Sequence, residues 1–372
     1  MINEERLIDL FLRLIKTSTP AKQERPVVDM LRPILEELGF AVEEDDAGQK
    51  IGGNAGNLIA YKEGTSKTGH RIFFSSHIDT VAPTTDLLPQ ISDGIIRTNG
   101  NTILGSDDKA GIAAIIEAIR IVEEQKIPFR SIQVLFDVSE ETGLLGAKHL
   151  DRNKIKADFG YVFDTGKPVA GIVISAPSHE NFYVKFRGKA AHAGVEPEAG
   201  INAIVAASKA IAKMKIGRID SETTANVGVI KGGQARNIVA EEVEVSAEAR
   251  SRNEEKLKQQ VEHMTQCFHE GASEVGAEVE IRTVREYNAF RFTADDPVVK
   301  MALEAGRRIN IEPELVEGGG GSDANIFNSY GLPAVVVGVG YDDPHASTER
   351  ISIADMVTAT RFAVALVETS TV

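Results

Sequence analysis

The chain has no tryptophan, a single cysteine at position 267 and no long apolar run. One cysteine excludes an intramolecular disulfide and fits a reducing compartment. A membrane-spanning helix needs about 18 consecutive apolar residues, and no such run occurs. Residues 1–16 combine acidic residues with apolar residues at helical spacing, which predicts an amphipathic surface helix and not a secretory signal. We therefore expect a soluble cytoplasmic protein.

Basic residues are too few for a nucleic-acid surface. The 41 Lys and Arg residues are outnumbered by 55 Asp and Glu residues, and the net charge is −14. Phosphate binding needs clustered Lys and Arg, and anionic membranes attract basic surfaces, so we expect no nucleic acid and no membrane as partner. Hydrophobic residues form 42% of the 372-residue chain, enough for a core, and this length favours two domains.

Three continuous apolar runs each end in a short polar turn. They are residues 72–75 before His77 and Asp79, residues 132–136 before Glu140 and Glu141, and residues 159–163 before Asp164. Continuous apolar strands are typical of a mainly parallel sheet covered by helices on both faces. Proteins with such sheets bind small molecules and ions beyond the carboxyl ends of the strands. We therefore expect these side chains to converge at that edge of the sheet.

The pattern changes near Ser178, where a βαββαβ order begins that is typical of the ferredoxin-like fold. After residue 287 the alternation of strands and helices returns. We predict an α/β fold with a mainly parallel mixed sheet covered by helices, formed by residues 1–177 and 288–372. An inserted ferredoxin-like α+β domain is expected at residues 178–287.

Thr19 and Pro20 indicate the start of the second helix, because threonine caps a helix and proline suits its first turn. The apolar spacing predicts that this helix runs to Leu38, with Pro26 and Pro33 bending or interrupting it.

Asp107 lies among small residues in the segment Gly105–Gly111, just before an apolar helix. Alone it is typical of a helix N-cap. Together with the polar turns and His345 it indicates a metal site, because zinc takes His nitrogen and carboxylate oxygen. Two ions about 3.5–4 Å apart need a shared ligand, which we predict to be Asp107. The predicted ligands are His77 and Asp164 for one ion, Glu141 and His345 for the other, and Asp107 for both.

Two further acids flank predicted ligands. Asp79 follows His77 by two residues and is expected to accept a hydrogen bond from the second imidazole nitrogen, which fixes the tautomer. Glu140 precedes Glu141, and adjacent residues at a strand end point in different directions. Glu140 is therefore expected to take a proton from the attacking water and pass it to the leaving amine, as a general base and acid.

Each motif also has an ordinary structural interpretation. A His-x-Asp triplet occurs on surfaces and in cores, a Glu–Glu pair is common on solvated helix faces, and Asp164 alone can cap a turn. The combination favours a functional site, because the polar residues follow successive predicted strands and His345 follows a glycine-rich segment.

The combined motifs resemble those of the di-zinc aminopeptidase, aminoacylase and carboxypeptidase family, and within it the tripeptidases. They are Ser76–Val81, Gly105–Gly111, Glu140–Gly143, Asp164 and His345, and the resemblance covers nearly the whole chain. It implies two Zn²⁺ ions, with Co²⁺ or Mn²⁺ as substitutes, the ligand roles given above and Glu140 as general base. It also implies that the inserted domain is a lid that often dimerises. A cis peptide bond is expected between Asp107 and Asp108.

Further residues are expected to contact the substrate by the same resemblance. His192, in the segment Gly188–Gly194, would stabilise the oxyanion. Asn237 and Arg250 would hold the substrate, Arg250 because its fork can bind both oxygens of a carboxylate. Without the resemblance, His192 is a loop histidine and Arg250 equally suits a surface ion pair.

The run Gly318–Gly321, followed by Ser322 and Asp323, lacks the Gly-Lys-Ser/Thr of a phosphate loop. The resemblance implies that this segment lines the substrate pocket, with Gly319, Gly320 and Asp323 as contacts.

We therefore expect a metal-dependent exopeptidase that cleaves the N-terminal bond of short peptides, in particular tripeptides, and that forms a homodimer through the lid. In the family that this chain resembles, the residue corresponding to Asp164 is an aspartate in aminopeptidases and dipeptidases. It is a glutamate in aminoacylases and carboxypeptidases. One alternative is an amidohydrolase or deacylase acting on N-acyl amino acids or other small amides. A catalytically silent binding protein is a further alternative, although no predicted ligand is missing and Glu140 is present.

Overall fold

The computed structural model of the chain describes residues 2–371. These residues form two compact units. Unit 1 comprises residues 2–174, 292–317 and 322–371, and unit 2 comprises Ser175–Arg291 and Gly318–Gly321.

Helices and strands alternate through most of the chain. The helices are α1 Glu4–Lys16, α2 Arg25–Glu37, α3 Ala47–Ile51, α4 Ser106–Gln125, α5 Leu145–His149, α6 Ala203–Lys213, α7 Glu254–Ser273, α8 Pro297–Arg308, α9 Asp323–Ser329 and α10 Ile353–Thr369. The strands are β1 Ala41–Glu44, β2 Leu58–Glu63, β3 Arg71–His77, β4 Gln90–Ser92, β5 Ile95–Arg97, β6 Ser131–Asp137, β7 Phe159–Thr165, β8 Ile172–Ala176, β9 Ser178–Arg187, β10 Gly217–Arg218, β11 Thr223–Gly232, β12 Glu242–Ser251, β13 Glu278–Tyr287, β14 Phe290–Arg291, β15 Leu315–Glu317, β16 Ala334–Gly338 and β17 Arg350–Ser352.

The sheet of unit 1 has the strand order β1-β2-β6-β3-β7-β16-β8, and β15 also pairs with β8. The four central strands β6, β3, β7 and β16 are parallel, whereas β2 and β8 join them antiparallel. Every residue of β6 is buried, as expected for a strand covered by helices on both faces. The predicted α/β fold with a mixed sheet is confirmed, and its parallel part is this centre.

The carboxyl ends of the central strands carry the polar turns. His77, the last residue of β3, pairs in register with Asp137, the last residue of β6. On the other side of β3, Ser75 pairs with Val162 of β7, two residues before Asp164. The register therefore places the three predicted turns at one edge of the sheet.

Unit 2 contains an antiparallel sheet of order β10-β11-β12-β9-β13. Helices α6 and α7 pack on it through a separate hydrophobic core that includes Phe182, Val243 and Phe268. Omitting the two-residue β10, the order is that of the ferredoxin-like βαββαβ unit, as predicted. Asn202 and Asn253 cap the two helices through their side chains, since each accepts a backbone N–H of the first turn.

The predicted start of the second helix was wrong. Helix α2 begins at Arg25, with Pro26 in its first turn, and continues through Pro33. The Thr19 hydroxyl instead donates to the Ile78 carbonyl oxygen at 3.0 Å, and Pro20 forms an isolated bridge with Thr80. A tertiary contact thus holds the Thr–Pro pair in an extended segment, although its local signal favours a helix.

A small antiparallel sheet of order β17-β5-β4 was not predicted from the sequence. Each of its strands has only three residues, too few for a clear alternation. Among residues 2–371, no helix combines the length and the apolar character needed to cross a membrane.

Candidate metal centre

The predicted metal ligands all lie in unit 1, at strand ends or in the loops that follow. His77 ends β3, Asp164 lies near the end of β7 and Glu141 follows β6. Asp107 lies at the beginning of α4, and His345 lies in the loop between β16 and β17. The sheet therefore supplies two of the five side chains directly and the connecting loops supply the others.

Asp107 lies between two groups of side chains, with one carboxylate oxygen facing each. Its Oδ1 lies 3.2 Å from His77 Nε2, and Asp164 Oδ1 is 3.7 Å from the same nitrogen. Its Oδ2 lies 3.2 Å from His345 Nε2, and Glu141 Oε1 is 2.9 Å from that nitrogen. The groups His77–Asp107–Asp164 and Asp107–Glu141–His345 each bring three donor atoms within 4.8 Å of one another. This arrangement suits one ion in each group with Asp107 shared.

The centre is sheltered on the side of the sheet and open at one side chain. The exposed fraction is 2% for His77, 12% for Asp107 and 9% for Glu141, whereas His345 is 51% exposed. His345 is thus the predicted ligand that is most exposed to solvent.

The centre brings several carboxyl groups close together in a buried environment. Burial raises the pKa of Glu140 and of Asp164 well above their usual range, and neighbouring carboxylates add to both shifts. Hydrogen bonds that His345 donates to Asp107 and then to Glu141 raise the pKa of His345 to about 10. Burial opposes ionisation of Asp107, but contacts with His345 and His77 lower its pKa overall. A cation at either group would offset this concentration of negative charge.

The turn that carries Asp107 is not helical. Asp107 and Asp108 have non-helical backbone angles, and the peptide bond between them is cis, which confirms the prediction. The Asp108 carboxylate accepts the Ser76 hydroxyl. Gly111 is needed for packing, because a Cβ there would lie 2.4 Å from the Phe163 carbonyl oxygen. Since Asp107 and Asp108 are non-helical, the regular part of α4 begins at Lys109.

Asp79 is buried beneath the centre but acts differently from the prediction. The shortest contact of His77 Nδ1 is with the Asp79 backbone carbonyl at 2.9 Å, and the Asp79 Oδ1 is 3.5 Å away. The carboxylate instead accepts the backbone N–H groups of Glu140 at 2.9 Å and Glu141 at 3.1 Å. Residue 79 therefore orients both the His77 ring and the turn that carries the two glutamates.

Glu140 forms a further candidate group with one member of each of the two predicted ligand sets. A carboxylate oxygen of Glu140, a ring nitrogen of His77 and a carboxylate oxygen of Glu141 lie within 4.8 Å of one another. The preceding Ser139 has φ 55°, in the left-handed region that is uncommon for residues other than glycine. The Glu24 carboxylate accepts the Ser139 N–H at 3.0 Å and its hydroxyl at 2.8 Å, and so holds this turn.

Three polar contacts of the centre were not predicted from the sequence. They come from Glu24 at the start of α2, from Tyr341, whose hydroxyl donates to Asp107 Oδ1 at 3.2 Å, and from Glu349, which contacts the Asp107 turn. Tyr341 lies four residues before His345, and Glu349 four residues after it. This spacing is the only sequence signal for either residue, and it does not separate them from other loop residues.

The predicted substrate contacts lie mainly in unit 2. His192 and Asn237 are exposed on adjacent loops, joined by a bridge between His192 and Ile238 and by the Ala193 N–H donating to the Asn237 carbonyl at 3.0 Å. Within this unit, Gly319 and Gly320 face open space at their Cβ positions.

Arg250 is half-buried on β12 beside other polar groups of unit 2. Its Nη2 donates to Glu248 Oε2 at 2.9 Å, and His179 Nε2 lies 2.9 Å from the same oxygen. The close contact with His179 first, and then the hydrogen bond from Arg250, lowers the pKa of Glu248 to about 2. Arg250 Nε has no hydrogen-bond partner within the described residues.

Asp323 is placed differently from the other predicted contacts. It is the first residue of α9 in unit 1 and is 2% exposed, which leaves little surface for a substrate. Burial raises its pKa to about 7.

A model of Peptidase family M20/M25/M40 matches residues 73–369. The chain belongs to this family. It is 43% identical over 368 residues to the protein YqjE of Bacillus subtilis, with 99% of each chain covered. A crystal structure of aminopeptidase PepT from Bacillus cereus is 42% identical, with a TM-score of 0.91 and 99% of both chains covered. A crystal structure of a tripeptidase from Staphylococcus aureus is 39% identical, with a TM-score of 0.94, 99% of this chain and 98% of that chain covered.

These similarities confirm the predicted family, the fold class and the assignment to the metallopeptidases. The roles of individual side chains stay predictions, since the comparisons concern whole chains.

Proposed function

We propose that this member of the M20 peptidases is a two-zinc exopeptidase that removes the N-terminal residue of short peptides, with tripeptides as its main substrates. The observation that carries the proposal is Asp107, whose two oxygens face separate sets of His and carboxylate donors. Full-length similarity to an aminopeptidase PepT and to a tripeptidase supports the substrate class.

The donor set fits two zinc ions. Each group offers one imidazole nitrogen and carboxylate oxygens, which are ligands that zinc prefers. His77 and Asp164 would hold one ion, Glu141 and His345 the other, and Asp107 both. When bound, such ions polarise a carbonyl group and make water a stronger acid. Co²⁺ and Mn²⁺ accept the same ligand types and are the expected substitutes.

Glu140 is the proposed general base. Its carboxylate lies beside His77 and Glu141, and Asp79 fixes its backbone N–H. In this position it can take a proton from the attacking water and deliver it to the leaving amine. We further propose that His192 supports the oxyanion and that Asn237 binds the substrate backbone. Arg250 would bind the C-terminal carboxylate, because a guanidinium group can hold both carboxylate oxygens.

A substrate panel tests the proposed activity. We expect Zn²⁺-, Co²⁺- or Mn²⁺-loaded protein to cleave tripeptides faster than dipeptides, N-acetyl amino acids or a tripeptide with an amidated C-terminus. The amide should lose about 1.5–3 kcal/mol of binding, the range for a hydrogen bond to a charged group. Arg250→Met should remove the difference between acid and amide. Arg13→Met is the matched control, since Arg13 is 54% exposed on α1, outside unit 2.

The same panel contains the contrary outcomes. Faster hydrolysis of N-acetyl amino acids would make the protein a deacylase. Equal rates for the acid and the amide in the unsubstituted protein would exclude a carboxylate contact through Arg250. No hydrolysis, with less than about one metal ion bound per chain after zinc loading, would indicate a silent binding protein, because the proposed chemistry needs bound metal.

We also propose that unit 2 forms a homodimer. Strand β10 pairs only with Thr224 and Ala225 of β11, so within the described residues the rest of that edge is unpaired. Val229 and Ile230 on β11 are 43% and 49% exposed, and Ile204 of α6 is 41% exposed. An exposed edge strand with apolar side chains is suited to pairing with a second chain.

Light scattering during size-exclusion chromatography measures the mass of the assembly. We expect twice the chain mass of 40.1 kDa for the unsubstituted protein and a shift towards the single-chain mass for Ile230→Glu, which places a charge on the exposed edge. A single-chain mass for the unsubstituted protein at all concentrations tested would contradict the dimer.

A further inference from the structure

Glu349 has a buried carboxylate that contacts the turn before α4 through both of its oxygens. The residue is 0% exposed. Its Oε2 accepts the backbone N–H of Leu104 at 2.9 Å and of Gly105 at 2.8 Å. Its Oε1 accepts the Ser106 hydroxyl at 2.6 Å and the backbone N–H of Asp107 at 3.0 Å. One side chain thus satisfies four donors from four consecutive residues.

These donors have no local acceptor. Gly105 is the N-cap of α4 and has no side chain to accept a backbone N–H, and Gly105 has φ 74°, so the chain turns sharply there. Buried N–H groups that lack a partner cost about 1–3 kcal/mol each. Glu349 supplies the missing acceptor from a distant part of the sequence, as a helix start requires.

The same residue belongs to the loop that carries His345. Asp342 and Arg350 close this loop through a bridge with backbone hydrogen bonds of 2.8 and 3.2 Å, and the Glu349 N–H donates to the Ala346 carbonyl at 3.0 Å. Glu349 therefore links the loop of His345 directly to the backbone N–H of Asp107. Asp107 and His345 both belong to the group Asp107–Glu141–His345.

We propose that Glu349 is a positioning residue of the metal centre that fixes Asp107 relative to His345. The inference rests on the proposed two-metal function and adds a residue to it. The group His77–Asp107–Asp164 has other supports, because His77 and Asp164 lie on strands of the central sheet. Loss of the Glu349 contacts should therefore affect the ion bound by Glu141 and His345 more than the other ion.

Glu349→Gln tests the proposal with little change in side-chain volume. Glutamine keeps one acceptor oxygen but turns an NH₂ group towards donors of the turn. Stepwise binding of Co²⁺ alone is followed by calorimetry and by visible absorption. We expect one binding step to weaken about 10- to 100-fold, the range for residues that orient metal ligands, and the other to change less than about threefold. In the metal-loaded enzyme kcat should fall with little change in KM.

Glu117→Gln is the matched control. Glu117 is a buried glutamate of α4 that accepts Arg6 Nε at 2.7 Å and Nη2 at 2.8 Å, and its side chain is 0% exposed. This variant should lower Tm but leave both Co²⁺ steps unchanged. Ser106→Ala removes a single donor of the turn and should weaken the same step that Glu349→Gln weakens, by about three- to tenfold. This second variant serves the test if Glu349→Gln does not fold.

Three outcomes would overturn the role of Glu349. They are unchanged Co²⁺ binding in Glu349→Gln, an equal effect of Glu117→Gln on the same step, and unchanged binding in Ser106→Ala where Glu349→Gln is unfolded. The proposed peptidase function is tested separately, by metal binding and peptide cleavage of the unsubstituted protein. If that protein binds two ions and cleaves no peptide, the peptidase proposal fails, while the Co²⁺ affinities of the variants still decide the role of Glu349.

Discussion

Glu140→Gln is expected to reduce kcat for a tripeptide by about 10²–10⁴-fold or more, the range for loss of a general acid–base group. The substitution keeps the shape of the side chain but removes its capacity to accept the proton of the attacking water. Metal binding should persist, because Asp79 holds the turn through the backbone N–H groups of residues 140 and 141 and not through their side chains. Steady-state kinetics and metal content of the purified variant measure the two effects.

Glu123→Gln provides a matched control for the loss of a glutamate charge. Glu123 lies on α4, is 36% exposed and pairs with Lys62 at 2.7 Å, and its substitution should leave kcat within about twofold, as surface ion pairs contribute little. A kcat of Glu140→Gln close to that of the unsubstituted enzyme would exclude Glu140 from proton transfer. Loss of a metal ion together with activity would instead make Glu140 a ligand.

The sequence predicted that the side chains of the candidate metal centre would lie together, because its signals are local. The predicted ligands of the central sheet lie at or just beyond the end of an apolar run. Strand β3 extends the run 72–75 by one residue at its start and two at its end, and β7 extends the run 159–163 by two residues at its end. The parallel register of these strands then places the turns at the same edge of the sheet. The order of strands and helices in unit 2 was predictable for a similar reason, since alternation and helix spacing are read over about ten residues at a time.

The orientation of the ligands was not predictable, because it depends on contacts between distant segments. Glu349 contacts Asp107 across 242 residues of sequence, and a glutamate in a polar loop has no feature that predicts burial. Asp79 shows that the sequence did not predict which atoms of neighbouring residues make contact. Its spacing from His77 predicted proximity, but not that the carbonyl would meet the ring while the carboxylate holds Glu140 and Glu141.

Asp107→Asn is the most direct test of the shared ligand. The amide oxygen can serve one ion, whereas the NH₂ group that replaces the other oxygen is not a metal ligand. Bound Zn²⁺ is therefore expected to fall from two ions per chain to one, and kcat/KM for a tripeptide to fall at least about 10²-fold, because the proposed chemistry uses both ions. Elemental analysis after gel filtration gives the stoichiometry, and titration with Co²⁺ shows which step is lost.

Asp108→Asn separates this effect from damage to the turn. Asp108 lies on the other side of the same cis peptide bond, but its carboxylate faces the Ser76 hydroxyl, which an amide oxygen can also contact. This variant should retain two Zn²⁺ ions. Loss of both ions from both variants would mean that the turn itself had collapsed, and two ions in Asp107→Asn would show that the two metal groups do not share this carboxylate. One ion in Asp107→Asn and two in Asp108→Asn would establish that adjacent aspartates of one turn have different tasks, one binding metal and the other holding the backbone.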